Sequence, residues 1–435
     1  MKTKKLHQDK VNITTLGCSK NLVDSEEMGA QLIANGINVI HESAKPDYNI
    51  SIINTCGFID KAKEESINTI LEHVAWKEDG HLDKVYVTGC LSQRYKNDLE
   101  QEIPGVDAWF GTMELPAILH AFNADYKAEL VGERLLSTPS HYAYLKISEG
   151  CNRTCSFCAI PLMRGKHVSK PEKEIIEEAT RLVKQGVKEI MLIAQELTYY
   201  GLDLYKKRTL PSLLEKLCAI EGLQWIRLHY AYPHKFPLEI IEVMKRQPKI
   251  CNYLDMPLQH VSDKMLTAMK RQITRAEMLT LIHDIRTILP DICLRTTLIV
   301  GFPGETDQDI QDLKNFLEEV RFDRVGVFTY SHEEGTSGYQ LQDNLTQEEK
   351  ETRAQEIMEV QQEISYEKNL EKVGKTYTVI IDKKEAGRYL ARTEMDSVEV
   401  DNEVIIHTTK RLQPGQFVQV RITKAYDYDL EAELL

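Results

Sequence analysis

The first third of the chain repeats one hydrophobic pattern three times: an apolar run typical of a strand, a cysteine at its end, and an amphipathic helical stretch. VNITTLGC leads into KNLVDSEEMGAQLIANG, NISIINTCG into FIDKAKEESINTILEHVAW, and DKVYVTGC into LSQRYKNDLEQEI. This alternation predicts a parallel sheet with crossover helices, whose carboxyl-end loops meet along one edge. Cys18, Cys56 and Cys90 are therefore predicted to meet in space. One such cysteine would more simply be a small buried hydrophobic residue, but three in the same position favour ligands.

From about residue 140 the alternation resumes with longer units. The candidate strands are AYLKIS, KEIMLIAQ, QWIRLHY, CNYLDMP, LRTTLIVG and RVGVFTY. Six strands with crossovers predict a partial, open relative of the eightfold barrel, with its working face at the carboxyl edge of the strands. The stretch 124–142 before it has mixed polarity and reads as a linker, and the charged helix within 346–374 is predicted to close the barrel.

After that helix the pattern changes to short alternating segments, KTYTVIID, SVEVDNEVII and GQFVQVRIT, which are broken by turn residues. Such a tail predicts a small closed β-barrel of the TRAM or OB type. We therefore predict an α/β chain of three domains. They are an N-terminal parallel-sheet domain over 1–135, a central partial barrel over 136–369, and a small all-β barrel over 370–435.

Composition adds expectations about compartment and partners. Nine cysteines are an odd number, and the start MKTKKLHQDK is basic without an apolar signal region, so we predict a cytoplasmic protein with reduced thiols. No apolar run approaches the length of a membrane span, which predicts no membrane partner. The net charge of −13 favours a basic partner, and the segment 371–435 is itself acidic, with ten Lys and Arg against twelve Asp and Glu.

The stretch SEGCNRTCSFCAIPL, residues 148–162, holds three closely spaced cysteines, Cys151, Cys155 and Cys158. A structural zinc site needs four ligands, and no histidine stands at a suitable offset nearer than His167. Three thiolates can instead hold three irons of a four-iron, four-sulfur (4Fe–4S) cluster and leave the fourth open for a small molecule. The spacing C-x3-C-x2-C, with Phe157 before the last cysteine, resembles the signature of the radical S-adenosylmethionine (SAM) superfamily.

That resemblance implies that SAM binds the open iron and that the reduced cluster cleaves it to a 5′-deoxyadenosyl radical. It also implies cofactor contacts by Phe157, by Gln195 and Glu196 after the second barrel strand, and by Gly301 after the fifth. The polar pair would face the methionine amine, and the glycine would let the backbone approach the adenine or ribose. The alternative for GFPGET is a simple turn and helix start, with Glu305 in the first helical turn.

Three single cysteines, then the three-cysteine loop, then a small barrel resemble the methylthiotransferases over essentially the whole chain. The resemblance implies two 4Fe–4S clusters, an auxiliary cluster that delivers sulfur and a radical cluster that binds SAM. The implied ligands are Cys18, Cys56 and Cys90 for the auxiliary cluster, and Cys151, Cys155 and Cys158 for the radical cluster. The other three cysteines, Cys218, Cys251 and Cys293, read as core residues.

Within this family, LGCSKNLVDSE and DMPLQHVSDKMLTAMKR resemble the members that act on small-subunit ribosomal protein twelve. The implied reaction replaces a β-carbon hydrogen of an aspartate by a methylthio group, with an electron donor, a sulfur source and two SAM molecules. The acidic tail favours this basic partner over tRNA. Two alternatives remain: methylthiolation of tRNA adenosine, whose enzymes more usually carry a serine where His260 stands, and a non-catalytic iron–sulfur protein that binds RNA.

The sequence identifies the residues that bind the substrate less clearly than it identifies the cluster ligands. Candidates to hold the substrate carboxylate, or else solvated or ion-paired side chains, are Arg164, Lys166, Arg227 and Arg295. Asp255 and His260 are expected either to touch the substrate or to cap the following helix, for which Ser262 is the predicted N-cap.

Overall fold

The computed structural model describes residues 9–43, 47–130 and 132–435. It divides into two compact units: Met1–Ser137, Glu149–Asn152 and Cys158–Glu178 form the first, and Thr138–Ser148, Arg153–Phe157 and Ala179–Leu435 form the second. The basic start of the chain, residues 1–8, and residue 131 of the predicted linker lie outside the described residues. Across the described ranges, no helix combines the length and the apolar composition needed to cross a membrane.

The first unit contains a five-stranded parallel sheet of strand order β2-β1-β3-β4-β5. Its elements in chain order are β1 Lys10–Thr15, α1 Ser19–Ala34, β2 Asn38–His41, β3 Ile50–Thr55, α2 Asp60–Glu78, β4 Lys84–Gly89, α3 Cys90–Glu102, β5 Ala108–Trp109 and α4 Leu115–Ala121. Apolar side chains from the strands enter two buried clusters, one that includes Ile13 and Ile52 and another that includes Ile53 and Val87. Burial on both faces explains why these strands are continuous apolar runs.

The remaining elements continue the α/β alternation and end in an all-β region. In chain order they are β6 Tyr142–Lys146, β7 Ser148–Glu149, α5 Ile160–Arg164, β8 Val168–Ser169, α6 Glu172–Lys184, β9 Glu189–Ile193, α7 Leu202–Tyr205, α8 Leu210–Cys218, β10 Trp225–Leu228, α9 Glu239–Arg246, β11 Ile250–Asp255, α10 Asp263–Ala268, α11 Arg275–Ile288, β12 Cys293–Val300, α12 Asp307–Val320, β13 Arg324–Thr329, α13 Gln347–Leu370, β14 Thr376–Glu385, β15 Arg388–Thr393, β16 Val404–Ile406, β17 Phe417–Ala425 and β18 Leu430–Leu434.

In the second unit, strands β6 and β9 to β13 form one parallel sheet of six, each next to its neighbour in the chain. All six correspond to the predicted strands, so the partial barrel is confirmed. The predicted tail is confirmed as well, because the last five strands form a closed barrel of order β14-β15-β16-β18-β17. The α/β fold class with these three parts therefore holds, while the exact domain boundaries stay predictions.

The connection between β15 and β16 differs from its prediction as a strand. The whole segment SVEVDNEVII is predicted as a strand, but the strand β16 begins only at Val404. The residues before it form turns, and their polar groups contact the six-stranded sheet of the same unit. Arg227 donates to the carbonyl of Glu394 at 2.6 Å, and Arg295 donates to Asp401 at 3.3 Å. The alternation of apolar and polar residues in this segment therefore arises from contacts with the partial barrel and does not mark a strand of the small barrel.

The predicted linker also contains structure. Within 124–142, Ala128–Leu130 forms a 3-10 turn, and Arg134 is buried between Glu26 and Glu178 of the first unit. A buried charge is tolerated only when it is paired, so this arginine anchors the segment. The mixed polarity of residues 124–142 is therefore explained in part by a buried, ion-paired arginine, and the segment is not simply an exposed linker.

Candidate functional site

The first candidate site is the carboxyl edge of the five-stranded sheet, where Cys18, Cys56 and Cys90 lie. Cys18 precedes the first residue of α1, Cys56 follows β3 directly, and Cys90 is the first residue of α3. A side chain at Gly17, whose φ is +91°, would come within 2.7 Å of the Cys56 Sγ atom. A side chain at Gly57 would likewise meet the backbone that carries Cys90. The structure thus brings the three predicted cysteines together.

Asn21 connects these strand ends. Its side-chain amide donates to the backbone carbonyls of Leu16 and Thr55. Its backbone carbonyl accepts from the side-chain amide of Asn54. Its side-chain oxygen accepts a weak hydrogen bond from the Cys90 thiol at 3.8 Å. Sequence reasoning missed this residue, although it stands in the quoted LGCSKNLVDSE, because an asparagine in the first turn of a helix normally faces solvent.

Arg164, which ends α5, supplies positive charge to the same place. It donates to the Asn21 side chain, to Asp24 at 2.6 Å and to Glu149 at 3.2 Å. Ala159 and Met163, at either end of the same short helix, pack against Cys90 in a small buried cluster. Within the first unit, the segment that follows Cys158 therefore packs against Cys90 and is hydrogen-bonded to Asn21.

Burial and charge act in opposite directions on these thiols. Burial raises the pKa of the Cys56 thiol and raises that of Cys90 to about 12, whereas the Arg164 charge lowers both. Bare thiolates are therefore disfavoured here. Bound iron would reverse that balance, because a metal deprotonates a coordinating thiol outright.

The second candidate site is the loop after β7, in which Cys151, Cys155 and Cys158 follow one another in the sequence. In the second unit, Arg271 donates to the Cys155 Sγ atom at 3.2 Å, and the Tyr232 hydroxyl lies 3.9 Å from the same atom. Arg153, inside the loop, lies over the Tyr232 ring at 3.8 Å. Sequence reasoning missed both arginines, although each stands in a quoted motif, CNRTC or TAMKR.

The predicted cofactor-contacting residues already have partners within the chain. Phe157 packs against a buried cluster that includes Met265 and Phe302. Glu196 accepts from Thr198 at 2.6 Å and from Arg153 at 3.0 Å, so it holds the cysteine loop.

Gln195 follows β9, and Gly301 follows β12, as predicted. The Gly301 amide donates to Glu305 at 2.8 Å, and a side chain at Gly301 would collide with Lys350. This glycine therefore permits the close approach of α13, and the cofactor contacts of all four residues stay predictions.

The candidates for substrate binding are largely paired within the chain. Arg164 faces Asp24 and Glu149, Arg227 is fully buried against Glu189, and Arg295 bridges Asp255 and Asp401. The ion-paired interpretation therefore fits these three arginines. Lys166 is exposed.

His260 is fully buried and serves the backbone around it. Its Nδ1 atom accepts from the amides of Val261 and Ser262, so its Nε2 atom carries the proton and faces Glu305 at 3.3 Å. Ser262 is the N-cap of α10 by position, but no capping hydrogen bond from its side chain is formed, and its hydroxyl donates to Asp309 instead. The helix-associated interpretation of this segment fits better than substrate contact.

The chemistry of the donor sets fits iron–sulfur ligation. None of the nine cysteines, all of which the structure describes, is in a disulfide, and Cys218, Cys251 and Cys293 are buried in the core as predicted. In residues 9–43, 47–130 and 132–435, no three His, Cys, Asp or Glu side chains are arranged to hold a single metal ion. A cluster differs from a single ion because each thiolate binds its own iron.

Sequence models of three families match the chain. The Radical SAM superfamily matches residues 145–317, the family described as "Uncharacterized protein family UPF0004" matches 10–111, and the TRAM domain matches 373–435. A radical SAM methyltransferase structure, TsrM from Kitasatospora setae, aligns with a TM-score of 0.56 at 13% identity, over 74% of this chain and 75% of that one. At that identity the likeness concerns the fold alone. The fold and the matched families define a radical SAM enzyme, which implies a 4Fe–4S cluster and SAM.

Full-length relatives narrow this class. The chain is 58% identical to the ribosomal protein uS12 methylthiotransferase RimO of Flavobacterium psychrophilum, with 100% of both chains covered. It is 57% identical to the protein of the same name from Flavobacterium johnsoniae, again over 100% of both. The chain belongs to the RimO family of radical SAM methylthiotransferases.

Proposed function

We propose that this enzyme transfers a methylthio group to the β-carbon of an aspartate in small-subunit ribosomal protein twelve, uS12. The observation that carries the proposal is the convergence of Cys18, Cys56 and Cys90 at one sheet edge, in a chain that also has the radical SAM loop. A second thiol trio would give a radical SAM enzyme a place to hold the sulfur that it transfers. The relatives named above for uS12 methylthiolation, alike over their full length, support the choice of substrate.

The two trios would hold two 4Fe–4S clusters, the auxiliary one on Cys18, Cys56 and Cys90, and the radical one on Cys151, Cys155 and Cys158. When bound, the clusters and SAM supply the one-electron chemistry and the sulfur that replace a carbon-bound hydrogen by a methylthio group. Each trio leaves one iron without a cysteine, so one cluster can take SAM and the other a sulfur ligand.

The chain's own residues hold and shield these groups. Asn21 fixes the strand ends that carry the auxiliary cysteines, of which Cys56 and Cys90 are buried and Cys18 is exposed. Glu196 and Arg153 tie the cysteine loop to the end of β9. This framework would hold each reactive group in a set position, and such positioning is the protein's main contribution to a reaction of this kind.

The charge distribution supports a protein substrate over tRNA. The net charge of −13, and the excess of acidic residues in the C-terminal barrel, attract a basic ribosomal protein and repel a phosphate backbone. The enzyme would also need a low-potential electron donor and a sulfur source. We place it in the cytoplasm, where its thiols would stay reduced and where its substrate is made.

The test is an anaerobic assay of the reconstituted full chain with SAM, dithionite, sulfide and recombinant uS12, read by mass spectrometry. A mass gain of one methylthio group on an aspartate is expected, and the Cys56→Ala variant should give none. A parallel assay with total tRNA checks the alternative. A methylthio group on tRNA adenosine, with uS12 unmodified, would overturn the proposal.

A further inference from the structure

Arg271 is a buried cation that points at the cysteine loop. Only 3% of it is exposed, and its Nη1 atom donates to the Cys155 Sγ atom at 3.2 Å. Its Nη2 atom donates to the carbonyl of Pro257 at 2.5 Å, and its Nε atom has no hydrogen-bond partner among the described residues. Every contact that fixes this guanidinium therefore comes from a neutral carbonyl, an aromatic ring or the cysteine sulfur.

Among the described residues, no carboxylate balances this charge. In the part of the chain that the structure describes, no Asp or Glu lies within ion-pair distance of Arg271, whereas neighbouring Arg153 pairs with Glu196 at 3.0 Å. Burying a cation without an anion costs free energy that a folded chain does not normally spend. Among the described residues in contact with Arg271, the Cys155 sulfur and the Tyr232 phenol can become anionic. The guanidinium donates to the sulfur, whereas Tyr232 presents its ring and donates its hydroxyl proton to the Arg271 carbonyl, so the missing counter-ion belongs at Cys155.

The surrounding structure fixes the position of Arg271. Its guanidinium lies 4.1 Å from the centre of the Tyr232 ring, and the Tyr232 hydroxyl donates to the Arg271 carbonyl at 2.7 Å. The residues on either side, Lys270 and Gln272, both adopt positive φ, at 57° and 59°. Left-handed backbone is unfavourable for such residues, and two of them flanking one arginine indicate that its placement is imposed.

We propose that Arg271 is a positioning residue for the radical cluster, which orients the Cys155 thiolate and makes the cluster easier to reduce. The proposal rests on the proposed function, because it takes Cys155 as a cluster ligand. Reduction moves one electron from an external donor onto the cluster and breaks no bond. A fixed positive charge that donates to a ligand sulfur stabilises the more negative, reduced form most, and therefore raises the reduction potential.

The test is a redox titration of the anaerobically reconstituted full chain, followed by electron paramagnetic resonance. The signal that changes when SAM is added identifies the radical cluster. In Arg271→Met we expect the ratio of reduced to oxidised cluster at a fixed potential to fall about tenfold, a midpoint about 59 mV more negative for one electron. Arg271→Lys, which keeps the charge, should recover part of this shift.

Arg208→Met is the matched control. Arg208 lies over the neighbouring Tyr199 ring at 5.4 Å but donates to the carbonyl of Lys235 rather than to a cysteine. Its removal should leave the midpoint unchanged, which separates the hydrogen-bonded arginine from the general positive charge of the region. If Arg271→Met does not retain iron, Arg271→Gln replaces it and should shift the midpoint in the same direction.

The outcomes separate this proposal from the proposed function. Iron-loaded Arg271 variants with the wild-type midpoint, or an equal shift in Arg208→Met, would overturn the role of Arg271 and leave the methylthiotransferase proposal intact. A wild-type chain with no SAM-responsive cluster would overturn both. A shift confined to the Arg271 variants, partly restored by lysine, supports the proposal.

Discussion

The two cysteine trios are built by different structural means. Cys151, Cys155 and Cys158 lie within one loop, whereas Cys18, Cys56 and Cys90 come from the ends of three strands. The loop cysteines are close together in the sequence, so they stay near one another whether or not the sheet is folded. The dispersed trio exists only while the parallel sheet is folded, so its ligands depend on the stability of the first unit.

The arginines that lie beside the two trios also differ, in whether they are paired with carboxylates. Arg164, beside the dispersed trio, is paired with Asp24 and Glu149, so it contributes to the structure of the first unit. Arg271, beside the loop trio, has no carboxylate partner among the described residues and donates to the Cys155 sulfur. The comparison suggests that one arginine mainly maintains the fold and the other mainly adjusts the chemistry.

The largest expected effect comes from replacing one cysteine of each trio and measuring SAM cleavage and methylthiolation separately. Cys155→Ala should abolish both SAM cleavage and methylthiolation, because both depend on the radical cluster. Cys56→Ala should abolish methylthiolation while reductive cleavage of SAM to 5′-deoxyadenosine continues. Both products are measured by liquid chromatography and mass spectrometry, and methylthiolated uS12 from Cys56→Ala would contradict the division of roles.

The next effect tests the close packing around the dispersed trio. Gly17→Ala introduces a carbon 2.7 Å from the Cys56 Sγ atom at φ +91°, whereas Gly36→Ala, at φ +82°, meets nothing within 4 Å. Both variants should lose about 1 kcal/mol to backbone strain. Only Gly17→Ala should lose a further ~1–3 kcal/mol to overlap and also lose auxiliary iron.

Chemical denaturation and iron analysis of the two glycine variants make the measurement. Equal iron content in both would show that Cys56 is not held against Gly17 as the structure has it.

A third effect compares the two arginines directly. Arg164→Met removes the buried cation that Asp24 and Glu149 share, and it should lower the free energy of unfolding by about 2–4 kcal/mol. Arg271→Met strands no carboxylate, so its effect on the cluster-free chain should be clearly smaller. Arg246→Met, which breaks only an exposed pair with Glu215, should cost about 1 kcal/mol or less.

Denaturant titration of the cluster-free proteins measures all three arginine variants. A loss for Arg271→Met that equals the loss for Arg164→Met would remove the distinction between a structural and a chemical cation.

The smallest effect concerns acid. Burial lowers the pKa of His73 on α2 from 6.5 to about 4, and its Nδ1 atom shares a 2.6 Å hydrogen bond with Ser51 of β3, the strand that leads to Cys56. The unfolded chain therefore binds more protons than the folded one, and stability present above pH 6.5 is lost as the pH falls toward 4. At pH 5 the loss should be about 2 kcal/mol.

Comparison of wild type with His73→Gln by denaturant titration at pH 7 and pH 5 isolates this contribution. The variant should lose less stability than wild type over the same interval, and identical losses would contradict a neutral buried His73.

The sequence was sufficient wherever the pattern was local or repeated. The six parallel strands and the charged helix α13 follow from periodicity. The loop trio is visible in its spacing, and its role as cluster ligands stays a prediction. The convergence of the dispersed trio also followed, because parallel strands place their carboxyl ends on one edge. Strands β2 and β5, with four and two residues, were too short to leave a periodic signal.

Long-range polar contacts could not be predicted. Arg164, Arg227 and Arg295 were considered for substrate binding, yet each is paired with carboxylates distant in the sequence. The segment SVEV alternates like a strand but contacts the partial barrel instead. A single sequence shows that a residue is charged or apolar, but only the fold shows which partner satisfies it.

The most direct test of the account is the iron and sulfide content of the anaerobically reconstituted full chain, compared with a variant in which Cys18, Cys56 and Cys90 are all alanine. Two four-iron clusters predict about eight irons per chain in the wild type and about four in the variant, with the SAM-responsive signal retained. A wild-type chain with about four irons, or a triple variant that keeps about eight, would contradict it.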